Sequence, residues 1–112
     1  MNPRERMRVS NQKAIKWLLD NGYDEIWLKQ HGQRQDKVYR SNGVHYFALD
    51  LWNQYDGACW KEGELYFLAI KTNAWQSERN MRSWLQDKFG VHAIAINVKK
   101  VGKRFKVLTR IY

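Results

Sequence analysis

The spacing of apolar residues predicts a first helix over residues 10–21. Its apolar side chains fall on one face, Ser10 is a suitable N-cap, and Gly22 supplies a stop in the left-handed region. Residues 1–9 hold three arginines and one glutamate, a composition typical of a flexible basic arm. We therefore expect a single domain over residues 10–112, preceded by this arm.

A second helix is predicted from the turn at residues 72–74 to about Phe89. Either Asn73 or Ser77 can cap it, and Glu78 lies in its first turn. Its apolar residues recur at three- and four-residue spacing and define the expected buried stripe: Met81, Trp84, Leu85 and Phe89.

Extended segments are predicted where apolar residues alternate with polar ones or form short runs. They are residues 23–30, 55–60, 65–71, 91–98 and 105–112, the last two joined by a turn at Gly102. Residues 31–43 are poor in apolar side chains, which predicts a long loop, and the class of residues 44–51 stays open. Together the segments predict an α/β domain in which a small mixed β-sheet is flanked by two helices.

The second and third of these extended segments form a predicted β-hairpin, because Gly63 between them can adopt a positive φ. A two-residue loop there puts Asp56 opposite Ala69 and Lys71 one diagonal step from Asp56. Diagonal partners lie about 7–8 Å apart, within reach of a lysine side chain. A carboxylate and an ammonium are therefore expected together at the open end of the hairpin.

This pair of side chains has a chemical use. The carboxylate of Asp56 can hold Mg²⁺, which prefers oxygen ligands and lowers the pKa of a bound water. Lys71 can then orient that water or stabilise the charge that develops on a phosphodiester. The alternative is a half-exposed cross-strand ion pair worth under about 1 kcal/mol.

Composition adds charge to this picture. The formal net charge is +9 and the pI is near 9.9, so we expect the chain to bind polyanions, of which nucleic acid is the commonest. Cys59 is the only cysteine, which excludes an internal disulfide and favours a core position in a reducing compartment. No apolar run approaches the ~18 residues of a membrane span, so a cytoplasmic location is expected.

Two segments concentrate the cations. Residues 91–112 carry six cations and no acid: Lys99, Lys100, Lys103, Arg104, Lys106 and Arg110. The expected long loop contributes Arg34, Lys37 and Arg40. Lysines on an edge strand also discourage aggregation, but six cations without a counter-charge exceed that need, and phosphate binding is favoured.

The order of helix, strand, hairpin, helix and strand over residues 10–98 resembles the core of the PD-(D/E)xK nuclease superfamily. That superfamily includes Holliday-junction resolvases, restriction enzymes and small phage nucleases. The most specific part is DLWNQYDGACW followed by LAIKTNA, which looks like the DLFG-x-x-D run and the QVKT-like strand of small resolvase-like proteins. The resemblance implies a restriction-endonuclease-like core, with Asp56 as the metal-binding Asp and Lys71 as the motif Lys.

The resemblance also implies a Mg²⁺ or Mn²⁺ cofactor, held by Asp56 and by the backbone carbonyl of Ile70. Ala69 departs from the pattern, which expects Asp, Glu or Gln two residues before the Lys. Glu78 on the following helix is one candidate for the second acid, and Asp50 is another. In a straight strand Asp50 and Asp56 lie about 20 Å apart, so Asp50 can serve only if the chain bends.

Three functions are compatible with these features. The first is a metal-dependent nuclease acting on DNA, with branched and single-stranded substrates left open, in which Gln76 touches substrate. The second is a catalytically silent nucleic-acid-binding domain of the same fold, which uses the C-terminal cations and exposed aromatic rings. The third is a protein-interaction module, such as a phage-encoded factor that binds a host protein. DNA is favoured over RNA, and a homodimer stays open.

Overall fold

The computed structural model describes residues 2–28, 36–40, 43–47 and 54–112 of the chain. The two helices are α1 (Pro3–Asp20) and α2 (Glu78–Leu85). The strands are β1 (Asp24–Leu28), β2 (Asp36–Arg40), β3 (Gly43–Phe47), β4 (Gly57–Lys61), β5 (Glu64–Thr72), β6 (Val91–Val101) and β7 (Arg104–Ile111).

Five of these strands form one mixed sheet in the order β1-β4-β5-β6-β7. Only β5 and β6 run parallel, and α2 is the crossover between them, as a parallel pair requires. The other neighbours are antiparallel, and β2 pairs with β3 in a separate two-stranded sheet. The expected α/β domain with a mixed sheet and two helices is confirmed.

The β4–β5 hairpin has the register that its sequence predicts. Lys61 pairs with Glu64 across a two-residue loop, and Gly57 pairs with Leu68 at the other end. Both loop residues, Glu62 and Gly63, have positive φ angles of 53° and 79°. Such a loop is a type I′ turn, whose twist matches that of the flanking strands.

The sheet buries both of its faces because β5 alternates between two apolar clusters. Leu68 and Ile70 pack against α1 through Leu18 and its neighbours. Ala69, on the opposite face, packs with Met81 of α2. Burying a side chain of the size of Leu68 contributes about 1.5–3 kcal/mol, so the central strands are held from both sides.

Helix α1 begins earlier than the sequence predicts. The side chain of Asn2 accepts a hydrogen bond from Glu5 N, and proline occupies the first turn, where its missing N–H costs nothing. Ser10, expected as the N-cap, is buried inside the helix and hydrogen-bonds Thr72 of β5. The prediction of a helix start at residue 10 is therefore wrong, and residues 3–9 are helical.

Helix α2 is shorter than predicted. Ser77 is its N-cap and accepts a hydrogen bond from Asn80 N. The helix ends at Leu85, and Phe89 is 94% exposed, so its assignment to the buried stripe is wrong. Lys88 explains the early end, because its ammonium donates to Trp84 O and closes the last turn.

The long loop expected over residues 31–43 is also partly wrong. Residues 36–40 form β2, which pairs antiparallel with β3, and β3 falls in the segment whose class stayed open. The turn at Gly102 is confirmed, but β6 and β7 reach further towards it than predicted.

Candidate functional site

A cavity of about 440 Å³ lies beside the carboxyl end of β5, between the first turns of α1 and the segment that leads to α2. Its lining comes from three parts of the chain: Pro3, Arg6 and Met7 of α1; Gln54, Asp56, Ile70, Lys71 and Thr72 of the hairpin region; and Ala74 and Gln76. The cavity thus includes both residues on which the sequence-based hypothesis depends.

Asp56 is held firmly at the edge of β5. It directly precedes β4, and its backbone N–H donates to Leu68 O at 2.7 Å. Its carboxylate Oδ2 accepts a hydrogen bond from Ile70 N, also at 2.7 Å. The half-buried carboxylate therefore has a defined position, which a metal ligand needs.

The neighbouring Gly57 allows this position. A Cβ atom added to Gly57 would lie 2.0 Å from Trp27 O and 2.9 Å from Leu28 Cα, both backbone atoms of β1. Only glycine permits β1 to approach so closely, and this approach secures the strand that carries Asp56.

Lys71 is exposed near the end of β5, on the same sheet face as Ala69. Its register partner on β6 is Asn97. Asn97 is 5% exposed, and its Oδ1 atom has no hydrogen-bond partner.

Of the two candidate second acids, the structure describes Glu78, and it does not bring Glu78 to Asp56. Glu78 does not line the cavity, and its carboxylate pairs with Arg82 at 2.9 Å. Asp50 lies outside the described residues. Ala69 is 2% exposed and packs under α2. Within residues 2–28, 36–40, 43–47 and 54–112 there is no cluster of three His, Cys, Asp or Glu side chains suited to a metal.

Sequence reasoning missed two polar residues of the cavity. Gln54 lines it two positions before Asp56, and its Oε1 atom is buried without a hydrogen-bond partner. Arg6 lines it because α1 starts at Pro3, which converts part of the expected flexible arm into a cavity wall. The Asn-Pro pair at residues 2–3 was the signal that could have placed Arg6 on a helix.

The remaining predicted nucleic-acid contacts divide into three groups. Gln76 lines the cavity with Asp56. Lys99, Lys100, Lys103, Arg104 and Lys106 are all exposed at the far end of the β6–β7 pair. Lys37 and Arg40 belong to β2, and Arg34 lies outside the described residues.

Beneath the site, Tyr55 is fully buried among aromatic rings. Its ring centroid lies 5.0 Å from that of Trp84 and 5.5 Å from that of Phe67. Burial raises the pKa of Tyr55 to about 12, and its hydroxyl has no hydrogen-bond partner. Tyr55 therefore acts as an anchor that holds the segment before Asp56 against the sheet.

Comparisons of the chain with protein-family models, with curated proteins and with solved structures find no match. Neither helix in the described part of the chain is long and apolar enough to cross a membrane.

Proposed function

We propose that the protein is a metal-dependent nuclease that acts on DNA, with Asp56 and Lys71 at its catalytic centre. One observation carries the proposal. Asp56 Oδ2 accepts a hydrogen bond from Ile70 N at 2.7 Å, and Lys71 lines the same cavity, so a carboxylate with a defined position and a lysine residue line one opening. An exposed ion pair that only stabilises the sheet would need no cavity.

The topology supports the proposal. Helix α1, strand β1, the β4–β5 hairpin, helix α2 and the parallel strand β6 follow the order that the PD-(D/E)xK resemblance implies. In that arrangement Asp56 directly precedes the first hairpin strand, and Lys71 lies near the end of the second. The positions of both residues thus agree with their proposed roles.

The donor atoms fit a hard divalent cation. Asp56 offers a carboxylate and Ile70 a backbone carbonyl beside the same cavity. Gln54 also lines the cavity, and its Oε1, a buried oxygen without a hydrogen-bond partner among the described residues, is a further candidate donor. Mg²⁺ favours few protein oxygens and retains several waters, so two or three donors of this kind are sufficient.

When bound, the cation supplies an acidified water and polarises the phosphodiester. Asp56 holds its position through the Ile70 N–H, so the carboxylate does not reorient when substrate enters. Lys71 places a positive charge at the cavity wall and stabilises negative charge that develops on the phosphate oxygens. Arg6 of α1 also lines the cavity, and its guanidinium can bind a neighbouring phosphate.

A cleavage assay tests the proposal. Labelled duplex, four-way junction and single-stranded DNA are incubated with Mg²⁺, Mn²⁺ or EDTA. We expect metal-dependent cleavage that falls at least about 100-fold in Asp56→Asn and Lys71→Met, while DNA affinity changes less than threefold. Lys16→Met is the charge-matched control, because Lys16 is exposed and pairs with Asp20 outside the cavity. Cleavage by Asp56→Asn at the wild-type rate would refute the assignment.

One observation favours a second candidate, a catalytically silent DNA-binding domain. Ala69 stands where the family has an acid, and the described residues contain no cluster of three acids or metal-binding side chains. This candidate predicts that the protein binds DNA in a salt-sensitive way and does not cleave it with any metal. It also predicts that Asp56→Asn and Lys71→Met leave the DNA affinity unchanged.

A further inference from the structure

The end of the β6–β7 pair extends beyond the rest of the sheet. The last residue of β5, Thr72, pairs with Val98, so among the described strands β7 is the one that pairs with β6 from Lys99 onward. We call residues 99–106 the basic ribbon. Asn73 Oδ1 accepts from Lys100 N at its base, and the ammonium of Lys13 lies 5.5 Å from the Phe105 ring centroid. The base is thus anchored, and the tip projects.

The tip of the ribbon is a tight, ordered turn. Val101 pairs with Arg104, which leaves a two-residue loop whose first residue, Gly102, has a φ of +63°. Glycine with positive φ at that position is the requirement of a type II′ turn, which continues the twist of both strands. The backbone of the ribbon therefore has a defined shape before any partner binds, which lowers the entropy cost of binding.

The ribbon is cationic on both faces. Five of its eight residues are basic, none is acidic, and all five are exposed. Lys99 pairs with Lys106 on the face that carries Lys71, whereas Lys100 pairs with Phe105 on the α1 face. Among the salt bridges between described residues, none involves a ribbon cation. Two lysines placed opposite each other repel, so this arrangement favours an anionic partner.

We propose that the basic ribbon inserts into the major groove of duplex DNA. Two paired strands lie about 5 Å apart, and the ribbon extends about 7 Å from the anchored Lys100 to the turn at Gly102. The major groove of B-form DNA is about 12 Å wide and about 8.5 Å deep, and it admits a two-stranded β-ribbon. The major groove of A-form RNA is too narrow and deep for side chains to read, so the dimensions favour DNA. Cations on both faces then meet the phosphates on both sides of the groove.

The ribbon connects to the catalytic cavity through one sheet face. Asn97 is the partner of Lys71, and Lys99 lies two residues further along the same face, about 8 Å from Lys71 between Cα atoms. A duplex that accepts the ribbon thus brings a backbone phosphate towards Lys71. The inference rests on the proposed function for its choice of DNA, and it selects duplex over single-stranded substrate.

Binding measurements in EDTA test the ribbon separately from cleavage. Fluorescence anisotropy compares a labelled 20-base-pair DNA duplex, the single strand and the equivalent RNA duplex at several salt concentrations. The ribbon variant is Lys99→Gln/Lys103→Gln/Lys106→Gln. The control, Lys16→Gln/Lys61→Gln/Arg79→Gln, removes the same charge at exposed or half-buried positions outside the ribbon and the cavity, and circular dichroism verifies that both variants fold.

At 150 mM salt we expect the ribbon variant to bind duplex DNA at least tenfold more weakly than the wild type does. The control variant should bind less than threefold more weakly than the wild type. A plot of the logarithm of the association constant against the logarithm of the salt concentration has a negative slope. Its magnitude should be smaller by about 2 to 3 in the ribbon variant, since each phosphate contact contributes about 0.9. Methyl green, a major-groove ligand, should displace the protein, and netropsin, a minor-groove ligand, should not.

Equal losses in both variants, displacement by netropsin, or tighter binding to single strands or duplex RNA would overturn the inference. A protein that binds through the ribbon but never cleaves would refute only the nuclease assignment.

Discussion

Two replacements of Asp56, by alanine and by asparagine, separate its hydrogen bond to Ile70 from its proposed role as a metal ligand. Because β4 begins at Gly57, opposite Leu68, the backbone N–H of Ile70 is held by the Asp56 carboxylate and not by a β4 carbonyl. A hydrogen bond to a charged acceptor is worth about 1.5–3 kcal/mol, and a neutral one about 0.5–1.5 kcal/mol. Asp56→Ala removes the bond and leaves a buried N–H without this partner. Asp56→Asn retains an oxygen acceptor.

We therefore expect Asp56→Ala to lower the free energy of unfolding by about 1.5–3 kcal/mol and Asp56→Asn by about 1 kcal/mol. Urea titration at pH 7, followed by tryptophan fluorescence, measures both. Asp20→Ala is the matched control, since it also removes a carboxylate but breaks only an exposed pair with Lys16 worth about 0.3–0.5 kcal/mol. If Asp56→Ala and the control were equally stable, the Ile70 hydrogen bond would not position the site.

Three further predictions concern the surroundings of the site. Gly57→Ala should lower the free energy of unfolding, measured by thermal denaturation, by about 3 kcal/mol or more, because the added Cβ meets Trp27 O at 2.0 Å. Gly90→Ala, in open space at φ +80°, should lower it by about 1–2 kcal/mol. Similar losses in the two variants would refute the close approach. Tyr55→Phe should raise the free energy of unfolding by about 1 kcal/mol, because it removes a buried hydroxyl without a partner, and a loss in urea titration would contradict this. Burial raises the pKa of Cys59 to about 11, so the thiol ionises first in the unfolded chain. As pH rises from about 9 to about 11, the free energy of unfolding should therefore fall by about 2 kcal/mol more in the wild type than in Cys59→Ala, and equal losses would contradict this.

Local patterns are sufficient to predict the centre of the fold. The two apolar runs around Gly63 predict a hairpin, and a two-residue loop at Glu62 and Gly63 gives the register that the structure has. That register by itself brings Asp56 and Lys71 near one another. The parallel pairing of β5 with β6 also follows from a strand, helix, strand order.

Features that depend on tertiary contacts were not predictable in the same way. Ser10 has the chemistry of an N-cap, but in the fold its hydroxyl bonds Thr72, sixty-two residues away in the chain. Phe89 continues the apolar stripe of α2, but Lys88 closes the helix before it and lies 4.3 Å from the Trp84 ring centroid. Gln54 belongs to no pattern, and only packing reveals its buried oxygen.

The most direct test of the metal site uses the Ile70 amide as a reporter. Its N–H donates to Asp56 Oδ2 at 2.7 Å, so a paramagnetic ion bound to that carboxylate broadens its NMR signal strongly. In ¹H–¹⁵N spectra with substoichiometric Mn²⁺, we expect the signals of Ile70 and Lys71 to disappear first, and Mg²⁺ to restore them by competition. In Asp56→Asn both signals should persist. Loss of signals at Glu78 or at other exposed acids, with Ile70 unchanged, would contradict a metal centre at Asp56.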